Sequence, residues 1–283
     1  MPTPTIDHMI YTLSEFGLYY HYHPPQRLPT NAPISKDNRR RLKMLSLLSL
    51  LIVTEGSGDV AAVSLHATAG KRIELCYSKN RPCTPDEIAY VTELFAIATS
   101  PTSSTHTKLT DLLSLVLCKC KDKIIARLRK LCNRLRDLAK EDDFSFATLN
   151  PRARVARNPL ATQCDAKIRK LVGTERFPLQ CSLVDFLKRW FQLLLTSLQH
   201  DSSFDFPANK SLVWETITIS YLLAQEPKVD SILNITLLHP IGKLGDYYAA
   251  ISVLVNEITK LNSGHESGVS IKEVSWWLGF LFS

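Results

Sequence analysis

The chain has 283 residues, of which 45% are hydrophobic, and a formal net charge of +7. This length suits one large domain or two small ones, and the hydrophobic fraction is typical of a globular protein with a core, which excludes a disordered or fibrous chain. The charge is unevenly distributed, because residues 108–176 hold 17 Lys or Arg against 8 Asp or Glu. A basic segment of this kind favours a solvated helix surface and leaves open contact with nucleic acid or an acidic partner.

Cysteine usage and the start of the chain indicate the cellular compartment. The seven cysteines are odd in number and form no disulfide framework in their spacing, which predicts reduced thiols in an intracellular protein, cytoplasmic or nuclear. The first residues lack the charged start and apolar run of a signal peptide. The most apolar stretch, Leu42 to Val53, is shorter than the roughly 20 residues needed to span a bilayer, so we predict a buried core helix and no membrane contact.

The first predicted unit is a Pro-rich leader over residues 1–34, in which six prolines exclude long helices. The second unit covers residues 35–107 and is predicted to form a helix, a β-hairpin and a second helix. Its first helix runs from Ser35 to Val53, and the hairpin pairs Val60–Leu65 with Arg72–Tyr77. In the second strand apolar and polar residues alternate, which predicts that one face is buried.

The second helix of this unit has a strong start signal. In the sequence Thr84-Pro85-Asp86-Glu87, Thr84 suits the N-cap and Pro85 suits the first helical position. Glu87 lies where its side chain closes a capping box with the backbone of the N-cap residue. We expect the helix to continue to about Thr99.

The third unit, residues 108–283, is predicted to be a helical domain with a basic middle segment. Its main element is one long helix from Leu109 to Glu141, a stretch without Pro or Gly. Apolar residues there recur every three or four positions, which places them on one face of a helix. These residues are Leu117, Ile124, Leu128, Leu131, Leu135 and Leu138.

The remainder of this unit reads as shorter pieces. We predict a basic loop over 144–158, which leads to a short helix over 164–172. Further helices follow over 182–200, 211–225 and 241–262, with an ambiguous stretch over 229–238 that Pro240 ends. The last predicted helix begins at Ser270 and carries the apolar run 276–282. The fold class is therefore mainly α, an irregular multi-helix domain around one long helix with a small β-hairpin near the N-terminus.

Two stretches resemble a known group of proteins. They are Asp59–Val63 through Lys79–Pro82, and Lys243-Leu244-Gly245-Asp246-Tyr247-Tyr248 with the apolar residues behind it. Together they resemble the region preceding the catalytic domain in large fungal proteins that end in a nucleic-acid-deaminase-like domain. The resemblance implies a place beside such a domain.

The catalytic motifs of those proteins do not occur in this chain. A zinc deaminase needs a His or Cys with a Glu two residues on, followed by Pro-Cys-x-x-Cys. Here Pro82-Cys83 is followed by Asp86 instead of a second Cys, His66 is followed by Thr68, and His265 stands directly before Glu266. We therefore carry over no catalytic residue and expect no metal or cofactor.

Two functional hypotheses remain open at this point. The first is a non-catalytic accessory or scaffold region, which includes the case of a truncated gene product, with a protein partner at the apolar C-terminal helix that holds Trp276 and Trp277. The second is a basic nucleic-acid-binding module. Its predicted contact residues are Arg127, Arg134, Arg152, Arg154 and Arg157.

Overall fold

The computed structural model describes residues 36–55, 60–67, 73–140, 157–174, 180–197, 206–230, 232–233, 235–263 and 269–273. Within these ranges the chain forms eight helices and three short strands, so the mainly helical class with a hairpin near the N-terminus is confirmed. The helices are α1 Lys36–Ile52, α2 Pro85–Thr99, α3 Thr105–Lys119, α4 Lys121–Lys140, α5 Pro159–Leu171, α6 Leu183–Ser197, α7 Phe206–Ala224 and α8 Ile235–Ser263. The strands are β1 Ala61–Ala67, β2 Ile73–Lys79 and β3 Val269–Glu273.

Three predicted features lie outside the described residues. They are the leader 1–34, most of the basic loop at 144–156, and the apolar run 276–282.

Helix α8 is the element against which most of the fold packs. It has 29 residues, so it is about 44 Å long at 1.5 Å per residue. Helices α1, α2, α3, α4 and α7 and strand β3 all contact it. Its core-facing residues Leu244, Tyr247 and Leu254 have no exposed surface. This buried helix, and not the basic one, therefore lies at the centre of the molecule.

The start of α8 differs from the prediction. Pro240 was expected to end a separate stretch, but the helix begins at Ile235 and includes Pro240. A proline inside a helix removes one backbone hydrogen bond and costs about 3 kcal/mol or more. Leu237 and Ile241, four residues apart, are both buried on the core side. Their burial offsets that cost and keeps the first turns helical.

The predicted long helix from Leu109 to Glu141 is two helices. Helices α3 and α4 meet at Cys120, whose backbone lies at φ −99° and ψ 18°, outside the helical region. The thiol of Cys120 lies 3.7 Å from the carbonyl oxygen of Leu51 and 3.8 Å from that of Val53. A tertiary contact with the end of α1 therefore accompanies the break, and the local sequence pattern has no sign of it.

The predicted apolar face of this helix pair is confirmed. Five of its six residues are at least 98% buried, and Leu138 is half-buried. The five are Leu117, Ile124, Leu128, Leu131 and Leu135.

The predicted hairpin is confirmed, with strand bounds one or two residues later than expected. Strands β1 and β2 are antiparallel, and Leu65 pairs with Leu75. The expectation that β2 buries one face is wrong, because Leu75, Cys76, Tyr77, Ser78 and Lys79 are all buried. Because successive residues of a strand point to opposite faces, their burial shows that both faces of β2 are covered.

Strand β3 corrects the prediction of a helix that begins at Ser270. Residues 269–273 pair in parallel with β2, so that Ile73 lies beside Val269 and Tyr77 beside Glu273. Ser270 and Glu273 have the spacing of a capping box, but the unpaired edge of β2 offers this segment a ladder of backbone hydrogen bonds instead.

Helix α1 matches its prediction as a core helix. Leu47, Leu48, Leu51 and Ile52 are all buried against the rest of the protein. In the described part of the chain, no helix combines the length and the apolar character that a membrane crossing requires.

Capping residues account for the starts of α5 and α6. Asn158 accepts a hydrogen bond from the backbone N–H of Ala161 at 3.0 Å, so α5 begins several residues before the predicted position at Cys164. The Ser182 hydroxyl oxygen accepts a hydrogen bond from the backbone N–H of Asp185 at 3.1 Å, at the start of α6. Helix α7 begins at Phe206, five residues before the predicted Ser211, and its early Pro207 is tolerated in the first turn.

The contact between α7 and α8 predicts opposite effects for two glycine substitutions in α8. A Cβ at Gly245 would lie 2.8 Å from the Cα and N atoms of Tyr221, whereas a Cβ at Gly242 meets no atom within 4 Å. We expect Gly245→Ala to lower the free energy of unfolding by about 1–3 kcal/mol through overpacking. Gly242→Ala should raise it by up to about 1 kcal/mol, because alanine favours the helix. Denaturant unfolding of both variants measures the difference.

The two substitutions control for each other, since both replace a glycine with alanine in the same helix. Equal stability changes would show that the helices do not approach as closely as 2.8 Å at Gly245.

Candidate functional site

The start of α2 places a carboxylate at the junction of three elements. Thr84 is the N-cap, Pro85 is the first helical residue, and Glu87 closes the capping box, all as predicted. The backbone N–H of Thr84 donates to Glu87 Oε2 at 2.9 Å. Glu87 is only 7% exposed, so its carboxylate lies inside the protein and not on a solvated helix end.

Three side chains from outside α2 also donate to this carboxylate. Lys79, at the end of β2, donates to Oε1 at 2.5 Å. Arg81 donates to both oxygens, at 2.8 and 2.9 Å. Thr54, which follows α1, donates to Oε1 at 3.2 Å. We call Glu87 with Thr54, Lys79, Arg81 and Thr84 the Glu87 cluster. It connects the end of α1, the end of β2 and the start of α2.

The donors determine the protonation state of Glu87. Burial alone would raise the pKa of this carboxyl, but hydrogen bonds from Arg81, Lys79 and the Thr84 backbone outweigh burial and hold the pKa well below its usual value of 4.5. The Lys79 side chain is 0% exposed, so the two charges are desolvated together. Breaking such a pair leaves an uncompensated buried charge.

A second polar group forms hydrogen bonds with the C-terminal end of α1. The Tyr90 hydroxyl donates to the carbonyl oxygen of Leu51 at 2.9 Å and lies 3.7 Å from the Cys120 thiol. Burial raises the pKa of Cys120 to about 11 and raises the pKa of Tyr90 well above its ordinary value. Both groups are therefore protonated at neutral pH and act as donors to the otherwise unpaired carbonyls of α1.

A third polar group joins α5 to α6. Asp165 is 2% exposed and accepts from Arg169 at 2.6 Å and from Arg189 at 2.7 Å. Arg189 also donates to the thiol of Cys181 at 2.7 Å. The carboxylate therefore has a guanidinium on each oxygen, and this group holds the two helices together.

The structure describes three of the five predicted nucleic-acid contacts, Arg127, Arg134 and Arg157. Arg127 is half-buried, donates to the carbonyl oxygen of Lys243 at 2.6 Å and lies 4.9 Å from the centre of the Tyr247 ring. It therefore attaches α4 to α8. Arg134 is exposed further along α4, and Arg157 is exposed where its backbone pairs with Ser182. Arg152 and Arg154 lie outside the described residues.

Helix α4 carries a basic surface larger than these arginines alone. Besides Lys121 at its start and Arg127 against α8, the helix carries five further exposed or half-exposed cations, which we call the α4 basic face: Lys123, Arg129, Lys130, Arg134 and Arg136. These cations lie between the apolar positions of the predicted helix, so the sequence pattern also indicates a basic surface here.

The three polar groups connect segments that are distant in sequence. Lys79 and Arg81 stand in one of the stretches that carry the family resemblance, but only the fold shows that they share one carboxylate. In the described ranges, no three His, Cys, Asp or Glu side chains gather as a metal site would require.

The adjacent cysteines of the helix pair differ in exposure. Cys120 is buried, whereas Cys118 is exposed. Residues two apart on a helix point in nearly opposite directions.

In comparisons with known proteins, no family model, no curated protein and no solved structure matches the chain. The resemblance to the fungal deaminase-like proteins therefore stays a prediction.

The Glu87 cluster predicts a specific pH dependence of stability. Because the folded-state pKa lies below the unfolded value of about 4.5, the stabilisation is fully present above that pH and is lost as the pH falls below it. At pH 7 we expect Glu87→Gln to cost about 3–5 kcal/mol, since Lys79 is left buried without its anion. Guanidinium unfolding across the range from neutral pH to about pH 3 measures this cost.

The matched control is Glu93→Gln, an exposed site on the same helix. Its effect should stay within about 0.5 kcal/mol at neutral pH. The difference between wild type and Glu87→Gln should shrink as the pH falls, and a difference that stays constant would contradict the role of the charged carboxylate.

Burial also predicts the order in which the cysteines react. Cys118 is exposed and Cys83 is half-buried, while Cys76, Cys120, Cys132, Cys164 and Cys181 are buried. A thiol reagent such as a disulfide dye should label Cys118 first and Cys83 more slowly, and should reach the buried five only on unfolding. Cys118→Ser should remove the fastest phase. Rapid labelling of six or seven thiols in the native protein would contradict the structure.

Proposed function

We propose that this chain is a non-catalytic accessory or scaffold region, related to the leading part of the fungal deaminase-like proteins it resembles. The observation that carries the proposal is the Glu87 cluster, in which a buried carboxylate accepts hydrogen bonds from four residues of three separate segments. A group with all of its acceptor capacity used inside the fold supports the structure and has no room for a substrate.

The pKa values of buried Cys and Tyr side chains support the same role. A general acid or base works best when its pKa lies near the operating pH. Burial raises the pKa of Cys120 to about 11 and that of Cys164 to about 12. It also raises the pKa of Tyr90 and of Tyr247 above their ordinary values. These groups stay protonated at neutral pH, which suits fixed packing or hydrogen-bonding roles.

The seven cysteines form no disulfide bond with one another in the structure, which supports an intracellular setting, cytoplasmic or nuclear. The proposed protein partner would contact the apolar segment 276–282, and that prediction rests on the sequence.

A second candidate function is binding of nucleic acid, and the α4 basic face favours it. The 20 residues of helix α4 include eight Lys or Arg and two Asp. Phosphate contacts by such residues supply the sequence-independent part of nucleic-acid affinity.

The accessory role predicts that the purified chain holds no stoichiometric zinc and releases no ammonia from cytidine or adenosine. The zinc deaminase reaction requires three ligands and a proton-shuttling Glu, and this chain lacks both motifs. Elemental analysis after equilibration with zinc, followed by buffer exchange, measures the metal content, and an ammonia assay measures the activity.

A known zinc deaminase processed in parallel provides the control for metal loss. One zinc per chain together with ammonia release would overturn the accessory role. Association of the chain with a purified deaminase-like domain, measured by sedimentation, would support it directly.

A further inference from the structure

Helix α4 exposes an arc in which the cations of the α4 basic face are arranged along two margins. It has 20 residues and is therefore about 30 Å long. At 100° per residue, Lys123, Lys130 and Arg134 lie along one side, the side on which Arg127 contacts α8. Arg129 and Arg136, seven residues apart, lie on the other side. The two margins are on average about 130° apart around the helix axis.

Small residues occupy the crest between these margins. Ala126 and Asn133 are exposed there, and the Asn133 side chain accepts a hydrogen bond from Arg136 at 2.8 Å. The acidic residues of the exposed arc, Asp122 and Asp137, lie near the two ends of the helix. The central stretch is thus narrow, and cations flank it on both sides.

We propose that α4 lies in the major groove of double-stranded DNA, with its two basic margins against the phosphates of the two strands. This inference rests on the nucleic-acid candidate above and adds the surface and the form of the partner. A helix is about 10–12 Å across with its side chains, and the major groove of B-DNA is about 12 Å wide. The small residues on the crest allow the helix to approach the base edges closely. Basic margins on both sides suit contact with the phosphates of two DNA strands instead of one.

The composition of the helix argues against two other anionic partners. Single-strand binders stack bases on aromatic side chains, and α4 contains no aromatic residue. Helices that lie in a lipid surface need a broad apolar face directed outward, but the apolar face of α4 is buried in the core. Duplex DNA instead presents one charge per 1.7 Å of its axis, a density that suits contacts made through cations alone.

The test compares the wild-type chain with the variant R129Q/K130Q/R134Q. Binding of a labelled duplex DNA is measured by anisotropy over a series of salt concentrations, with the same-length single strand and duplex RNA as further arms. Each lost phosphate contact should reduce the magnitude of the slope of log affinity against log salt by about 0.9. With three contacts removed, the slope of the variant should be smaller in magnitude than that of the wild type by about 2–3. Its affinity at low salt should fall at least about tenfold.

The matched control is K43Q/K170Q/K228Q, which removes three exposed charges from outside α4. The slope of log affinity against log salt for this control should differ from that of the wild type by no more than about 0.9, the value for one phosphate contact. Circular dichroism of each variant checks that the helices are retained. Ala126→Glu adds a charge at the crest and should weaken binding at least about tenfold, while Ala126→Gln should bind within about threefold of wild type.

The outcomes separate the two claims. Absence of duplex binding by the wild type at low salt overturns both the groove inference and the nucleic-acid candidate. Duplex binding that R129Q/K130Q/R134Q retains overturns the inference alone, as does tighter binding of the single strand or of duplex RNA.

Discussion

The carboxylate of Glu87 is the interaction on which the arrangement of the N-terminal half depends. A buried carboxylate is strongly unfavourable unless cations and hydrogen-bond donors surround it. Here the donors come from the end of α1, the end of β2 and the start of α2, so the charge is satisfied only when all three segments are in place. Helix α1, the hairpin and α2 are therefore coupled, because moving one of them leaves an ion without its partners.

The end of α1 shows how this coupling extends to the later helices. Its last carbonyl oxygens lack partners within the helix, as at every helix end. Tyr90 of α2 and Cys120, between α3 and α4, lie against the carbonyl oxygen of Leu51. Helix α8 then packs against α1, α2, α3 and α4. One helix end thus joins the small sheet to the long helices, and the break at Cys120 is the local cost of that contact.

Local signals in the sequence predicted several elements well. The capping box at Thr84 and the apolar face through Leu117 and Leu135 are correct, because each depends on residues within one or two turns. The break at Cys120, the strand at Ser270 and the continuous helix through Pro240 were missed, since each results from contacts with distant segments. For the site, the sequence identified Glu87 as a cap, but Lys79 and Arg81 as its partners require the fold.

The parallel pairing of β2 with β3 has a consequence for how the chain folds. Ile73 lies beside Val269, so this ladder joins two segments with most of the protein between them. Contacts of such long sequence separation form late, because loop-closure entropy must be overcome first. During synthesis the hairpin therefore emerges with one edge of β2 unpaired long before β3 leaves the ribosome. An unpaired edge is a template for other strands, so the nascent chain is exposed to misassembly during this interval.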